Sequence, residues 1–119
     1  MKTSLGSLKK FDSGKPMVSL VEPKFILGIA DILTFGAEKY GKNNWKLAKE
    51  DDMARYKDAL MRHLMSYLDG ELLDPESGKP HLHHIGCNLM FLEYFDRQPK
   101  THGLEEFIHE VQYGNAGDV

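Results

Sequence analysis

Residues 59–92 read ALMRHLMSYLDGELLDPESGKPHLHHIGCNLMFL, two apolar-periodic runs joined by a short polar turn. On the first run, Met53, Tyr56, Leu60, Leu64, Tyr67 and Leu68 recur at spacings of three and four, the stripe of a helix over about 51–70. Asp51 and Asp52 stand where they would cap its positive end, and Gly70 marks its close. A third helix is expected from Pro80, a favoured first-turn proline, to about Phe95 or Arg97. Leu82, Ile85, Leu89 and Leu92 form its apolar line, with Phe91 and Phe95 beside it. A connection this short makes the two helices antiparallel neighbours.

Working outward, Phe25, Ile26, Ile29, Ile32, Leu33 and Gly36 follow Pro23 at helical spacing and predict a first helix over about 23–38. It stops in KYGKNNW (39–45), where Gly41 and two asparagines supply turn chemistry. Residues 1–22 read as an extended or irregular arm, in which MVSLV (17–21) forms a short strand or lies along the body. LEEFIHEVQ (104–112) predicts a short last helix, and 113–119 a frayed tail. The fold class is therefore all-α: an antiparallel bundle of three main helices plus a short C-terminal helix, forming one domain over 23–112.

The 119 residues are 41% hydrophobic and 28% charged, the balance of a soluble globular domain. A net charge of −3 gives no basic field for polymeric nucleic acid or acidic lipid. No apolar run spans a bilayer, and no apolar stretch follows the first lysines as a signal peptide requires. The lone Cys87 excludes an intrachain disulfide and a Cys-rich zinc site. It sits mid-helix as an inert packing thiol. The expected compartment is a reducing cytoplasm. A core of this modest size favours a homodimer or higher homo-oligomer.

The polar residues concentrate around the turn. His63 lies inside the apolar stripe of the second helix, with Glu71 continuing that line. On the third helix His81, His84 and Asn88 share one face, whereas His83 points elsewhere and is expected in solvent. The turn brings Glu71 and Asp74 toward His81 and His84, a set of hard oxygen and imidazole donors suited to a divalent cation. The bland alternatives stand beside it: His63 as a hydrogen-bonded core histidine, Asn88 as a packing amide, and Glu76-Ser77-Gly78 as a turn and no more.

KYGKNNWK (39–46) offers a second cluster. Lys39, Lys42 and Lys46 carry charge, and Tyr40 and Trp45 carry flat faces, the ingredients that hold a nucleotide. Its alternative is a solvated loop whose Trp45 packs on the body. Arg62 is either a phosphate ligand or the ion-pair partner of Asp58. Neither G-x-x-x-x-G-K-[ST] nor G-x-G-x-x-G is present, nor a His-Asp dipeptide.

In order, GKPMVSLVEP (14–23), FGAEKYGKNNW (35–45), ALMRHLMSYLDGE (59–71) and DPESGKPHLHHIGCNLMFL (74–92) resemble the phage-associated dATP/dGTP diphosphohydrolase family, grouped with the MazG-like all-α nucleoside triphosphate pyrophosphohydrolases. The resemblance implies cleavage of a purine dNTP to monophosphate and pyrophosphate, with Mg2+ or Mn2+ as cofactor and a multimeric assembly. The usual MazG pattern places E-x-x-E on one helix and E-x-x-D on the next. Here His81-x-x-His84 stands on a helix, and Glu71-x-x-Asp74 lies at a helix end. The expected metal set is Glu71, Asp74, His81 and His84, with His63 and Glu71 catalytic. Lys39, Tyr40, Lys42, Asn44, Trp45, Arg62 and Asn88 are expected to bind substrate. Two readings compete: a non-catalytic nucleotide-binding or regulatory module, and a small helical interaction protein.

Overall fold

The computed structural model describes residues 8–9 and 13–99. The expected helix over 104–112 and tail over 113–119 lie outside the described residues. Three α-helices dominate: α1, Pro23–Tyr40; α2, Met53–Leu68; and α3, His81–Asp96. Pro23 opens α1 behind Glu22, whose carboxylate accepts the Lys24 N–H at 3.0 Å. Among the described residues there is no β-strand, and the fold is all-α as expected.

Three local expectations change. MVSLV is neither strand nor packed arm: Val18–Leu20 make a single 3-10 turn with exposed side chains. The first residues assigned to the second helix are instead a 3-10 turn, Glu50–Asp52. Asp52 serves that turn, accepting the Lys49 N–H at 2.9 Å, and caps no backbone N–H of α2; its contact with that helix is an ion pair with Arg55 at 3.8 Å.

α2 and α3 are antiparallel: His63 meets His81 near the turn, while Tyr56, two helical turns back, meets Phe91 and Phe95. The segment between them folds back on itself. Asp74 N–H donates to the Lys79 carbonyl at 2.8 Å and His81 N–H to the Leu72 carbonyl at 3.0 Å, around a one-pair bridge of Leu73 with Pro80. This pinch sets Glu71 beside His81 and Asp74 beside His84.

α1 approaches α3 through small residues. A Cβ at Gly86 would stand 3.0 Å from the Phe25 ring and 3.1 Å from Ile29, and Cys87 Sγ lies 3.4 Å from the Ile29 carbonyl. Gly28 lies beneath the His83 imidazole, so a Cβ there would overlap the ring. His83, expected in solvent, is half-buried and edge-on to Phe25, with ring centroids 5.9 Å apart. Its neighbour is α1, which the α2–α3 pattern does not include.

The core is thin. Among the described residues the buried hydrophobic side chains are Ile32 and Cys87. Leu68, Leu82 and Leu89, assigned to apolar stripes, are 67%, 43% and 55% exposed. Apolar residues are spread around α3 rather than gathered on one side, and α1 and α2 leave Leu82 and Leu89 uncovered. No described helix is long and apolar enough to cross a membrane.

Candidate functional site

Three side chains from separate segments converge at the turn end of the α2–α3 hairpin. One ligand atom each from His63, Asp74 and His81 lie within 4.8 Å of one another. His63 Nδ1 faces His81 Nδ1 at 2.8 Å, and His81 Nε2 meets Glu71 Oε1 at 2.8 Å. Glu71 as a carboxylate only accepts, so His81 Nε2 carries the proton and donates it. In the neutral His81 ring Nδ1 is then a bare lone pair, which accepts from His63 Nδ1–H.

The other half of the site hangs on Ser77. Its hydroxyl donates to Asp74 Oδ2 at 2.9 Å, leaving its oxygen to accept from His84 Nε2–H at 2.7 Å and Lys79 N–H at 3.2 Å. The Ser77 N–H gives Asp74 Oδ2 a second bond at 3.0 Å. The His63 and His84 rings stack in parallel, with centroids 4.3 Å apart and planes inclined by 4°. The sequence alone reads Ser77 as turn chemistry; its offset of three from Asp74 is the signal for this bridge.

Burial and neighbouring groups set the protonation of the cluster. Burial lowers the pKa of His63, with His81 and Arg62 adding to the depression against the pull of Asp74 and Glu76. Burial and the neighbouring His63 likewise lower that of His84. Both rings are neutral at neutral pH and retain a lone pair. Burial raises the Asp74 carboxyl, but the two Ser77 bonds and the His84 and His63 rings outweigh it and hold it below the usual value. A neutral imidazole pair beside an ionised carboxylate fits a divalent metal. By contrast, burial pushes the Cys87 thiol up to about 12, so it remains protonated and inert.

The expected metal residues Glu71, Asp74, His81 and His84 are all brought together, and the geometry adds His63 to their centre. Glu71 is bonded behind His81, and His84 behind Asp74 through Ser77. Asn88 is buried, and its side-chain amide donates to the His84 carbonyl at 3.0 Å within α3. The four-residue spacing that put it on the histidine face also lets it bond back along its own helix. Arg62 is exposed, and among the described residues no ion pair joins it to Asp58.

Lys39, Tyr40, Lys42, Asn44 and Trp45 line one cavity of about 690 Å³, within the range of small-molecule sites. Arg55, Tyr56 and Phe91 also line it; the sequence places Tyr56 and Phe91 in apolar packing and gives none of the three a substrate role. Arg55 and Tyr56 come from the first turn of α2, which only the folded hairpin sets opposite the loop. Trp45 is both wall and anchor. It stacks on Phe91 at 4.7 Å, and its carbonyl accepts the Tyr56 hydroxyl at 3.0 Å. Tyr40 presents the exposed ring, with Lys39 Nζ 5.3 Å from its centroid. Tyr56 and His63 are seven residues apart on α2, about 10 Å along the axis. Lys79 links the two regions, its Nζ 2.7 Å from Asp31 and 5.8 Å from the cavity-lining Phe35 ring.

Residues 6–103 match the family described as dATP/dGTP diphosphohydrolase, N-terminal. The chain belongs to this family. It is also 37% identical over 83 residues to a dATP/dGTP diphosphohydrolase of Salmonella phage PMBT28. That match covers 70% of the chain and 28% of the phage protein, so the chain spans little more than a quarter of that relative's length. No solved structure matches the chain significantly. The histidine centre and the lysine-aromatic cavity both fall within the family's matched residues.

Proposed function

We propose that the chain hydrolyses purine deoxynucleoside triphosphates, dATP and dGTP, between the α- and β-phosphates, releasing monophosphate and pyrophosphate. The observation that carries this reading is the convergence of His63, Asp74 and His81 about 10 Å along α2 from a nucleotide-sized cavity with lysines at its rim. Family membership supports it, as does the activity for which the phage relative is named.

A divalent cation, Mg2+ or Mn2+, held by this cluster supplies polarisation of a phosphoryl oxygen and a lowered pKa for a bound water. The chain's own residues do the rest. Lys39 and Lys42 offset triphosphate charge at the cavity mouth, and Arg62 does so beside His63. The Tyr40 ring and the Trp45 wall flank the base, and Asn44 offers its amide at the rim. A water oxygen attacks the α-phosphorus, the bond to the bridging oxygen breaks, and pyrophosphate leaves with the electron pair. A neutral imidazole, His63 or His84, takes the water proton. Glu71 orients His81 through its Nε2–H.

The reading places the domain with the MazG-like all-α pyrophosphohydrolases and in the cytoplasm. It also includes a homodimer or larger assembly, because Met61, Met65 and Leu68 leave an exposed apolar stripe along α2 that a second copy would cover. The test is incubation with each dNTP and NTP plus magnesium or manganese, followed by chromatography. Purine dNMP with pyrophosphate is expected; dNDP with orthophosphate, or no turnover, would overturn it. A non-catalytic nucleotide-binding module draws support from the small share of the phage relative that the chain covers. It predicts dNTP binding by calorimetry without turnover.

A further inference from the structure

The expected metal set counts four residues, but their hydrogen bonds divide them into two kinds. Glu71 accepts from the Nε2–H of His81, which leaves the opposite nitrogen of that ring pointing at His63. A carboxylate behind an imidazole fixes the ring's tautomer and raises the basicity of its free nitrogen, the usual arrangement behind a metal-ligating histidine. His84 directs its Nε2–H at Ser77, and Ser77 in turn holds Asp74. The atoms facing the shared space are therefore one nitrogen of His63, Nδ1 of His81 and an Asp74 oxygen.

The spacing of the nitrogens says which ions fit. Two nitrogens 2.8 Å apart, each about 2.1 Å from one ion, subtend about 85°, near a right angle and well short of the roughly 109° of a tetrahedral site. Separation by about 0.2 Å more would reach 90° at that bond length. Two imidazoles near a right angle, with an Asp74 oxygen in the same cluster, leave further positions open for water or phosphate oxygens. Magnesium takes oxygen ligands almost exclusively and gains little from imidazole, whereas iron, cobalt and nickel bind it well and manganese tolerates it. His81 is 2% exposed, so this nitrogen is fixed in place before any ion arrives.

We infer that His63, Asp74 and His81 form an octahedral transition-metal site selective for ions of the cobalt, iron and manganese class over magnesium, with Glu71 and His84 as positioning residues outside the ion's ligand shell. The inference deepens the metal-dependent reading above by naming its ligands and its metal class. On binding, the proton on His63 Nδ1 moves to Nε2, so the ring stays neutral as it becomes a ligand. The water proton in hydrolysis then goes to His84, whose ring stacks on His63.

The test is calorimetry of the metal-free full chain with cobalt, manganese and magnesium, with no nucleotide present. One equivalent of cobalt or manganese is expected to bind at least tenfold more tightly than magnesium. His63→Ala and His81→Ala should abolish cobalt binding, and Glu71→Ala should weaken it about ten- to a hundredfold. In unmutated protein, substoichiometric manganese should broaden the imidazole resonances of His63 and His81 more strongly than those of His83, a readout that needs no variant to fold. Magnesium binding as tightly as cobalt, or cobalt binding undiminished in folded His63→Ala, would overturn the inference. Metal binding without turnover would leave it standing and end the hydrolase reading. Magnesium-supported turnover by His63→Ala would do the reverse.

Discussion

Ser77→Ala isolates the bridge between the loop and α3. The hydroxyl makes three contacts: 2.9 Å to the Asp74 carboxylate, 2.7 Å to His84 Nε2 and 3.2 Å from the Lys79 N–H. A bond to a charged carboxylate contributes about 1.5–3 kcal/mol and a neutral bond about 1 kcal/mol. Asp74 keeps the Ser77 N–H at 3.0 Å, and the partly buried site admits water, so part of the loss is recovered. The expected net loss is about 2 kcal/mol, a fall in Tm of roughly 10 °C for a domain of this size. Thermal melts of the metal-free protein at neutral pH, followed by far-ultraviolet circular dichroism, give the magnitude. A second readout separates this bridge from generic packing. Ser77 helps hold the Asp74 pKa down, so its removal should shift the acid limb of the stability curve to higher pH. A loss below about 0.5 kcal/mol with an unmoved acid limb would refute the bridge.

Three further outcomes follow from other parts of the molecule. Gly28→Ala forces a methyl into the His83 ring, so overpacking of about 1–3 kcal/mol should outweigh a helix-propensity gain of about 1 kcal/mol. Gly36→Ala meets open space and should stabilise by up to about 1 kcal/mol, so urea denaturation of the pair must give opposite signs. His63 and His84 have folded pKa values below their ordinary 6.5, so the unfolded chain binds more protons just below that pH. Stability of the metal-free protein should therefore fall as pH drops from 7 toward 5, and a flat melting temperature across that range would contradict the burial of these rings. Tyr40→Ala removes an exposed ring at the cavity edge, and should raise KM for dATP several-fold while changing stability by less than about 0.5 kcal/mol.

Much of the fold was legible because its punctuation is local. Pro23 and Pro80 mark the starts of α1 and α3, and Gly41 and Gly70, with φ of 97° and 99°, sit just past the ends of α1 and α2. The short segment after Gly70 announced an antiparallel pair, and with it the meeting of Glu71, Asp74, His81 and His84. What stayed hidden depends on contacts between elements. The facing of His63 and His81 needs the register of α2 against α3, which periodicity alone leaves free. Helical spacing alone sends His83 to solvent, because its partner, Gly28, lies more than fifty residues away in the chain. Asn88 shared the histidine face, but helical spacing alone does not show whether its amide turns outward or back to His84. The exposed Leu68, Leu82 and Leu89 show that an apolar stripe marks a surface that avoids water without saying which partner covers it.

The most direct test of the central claim follows the oxygen. Hydrolysis of dGTP and dATP by the full chain in water labelled with heavy oxygen, with products resolved by mass spectrometry, reports which phosphorus the water attacks. Attack at the α-phosphorus predicts label in the dNMP and none in the pyrophosphate. Label in pyrophosphate, or release of labelled orthophosphate with dNDP, would contradict the account.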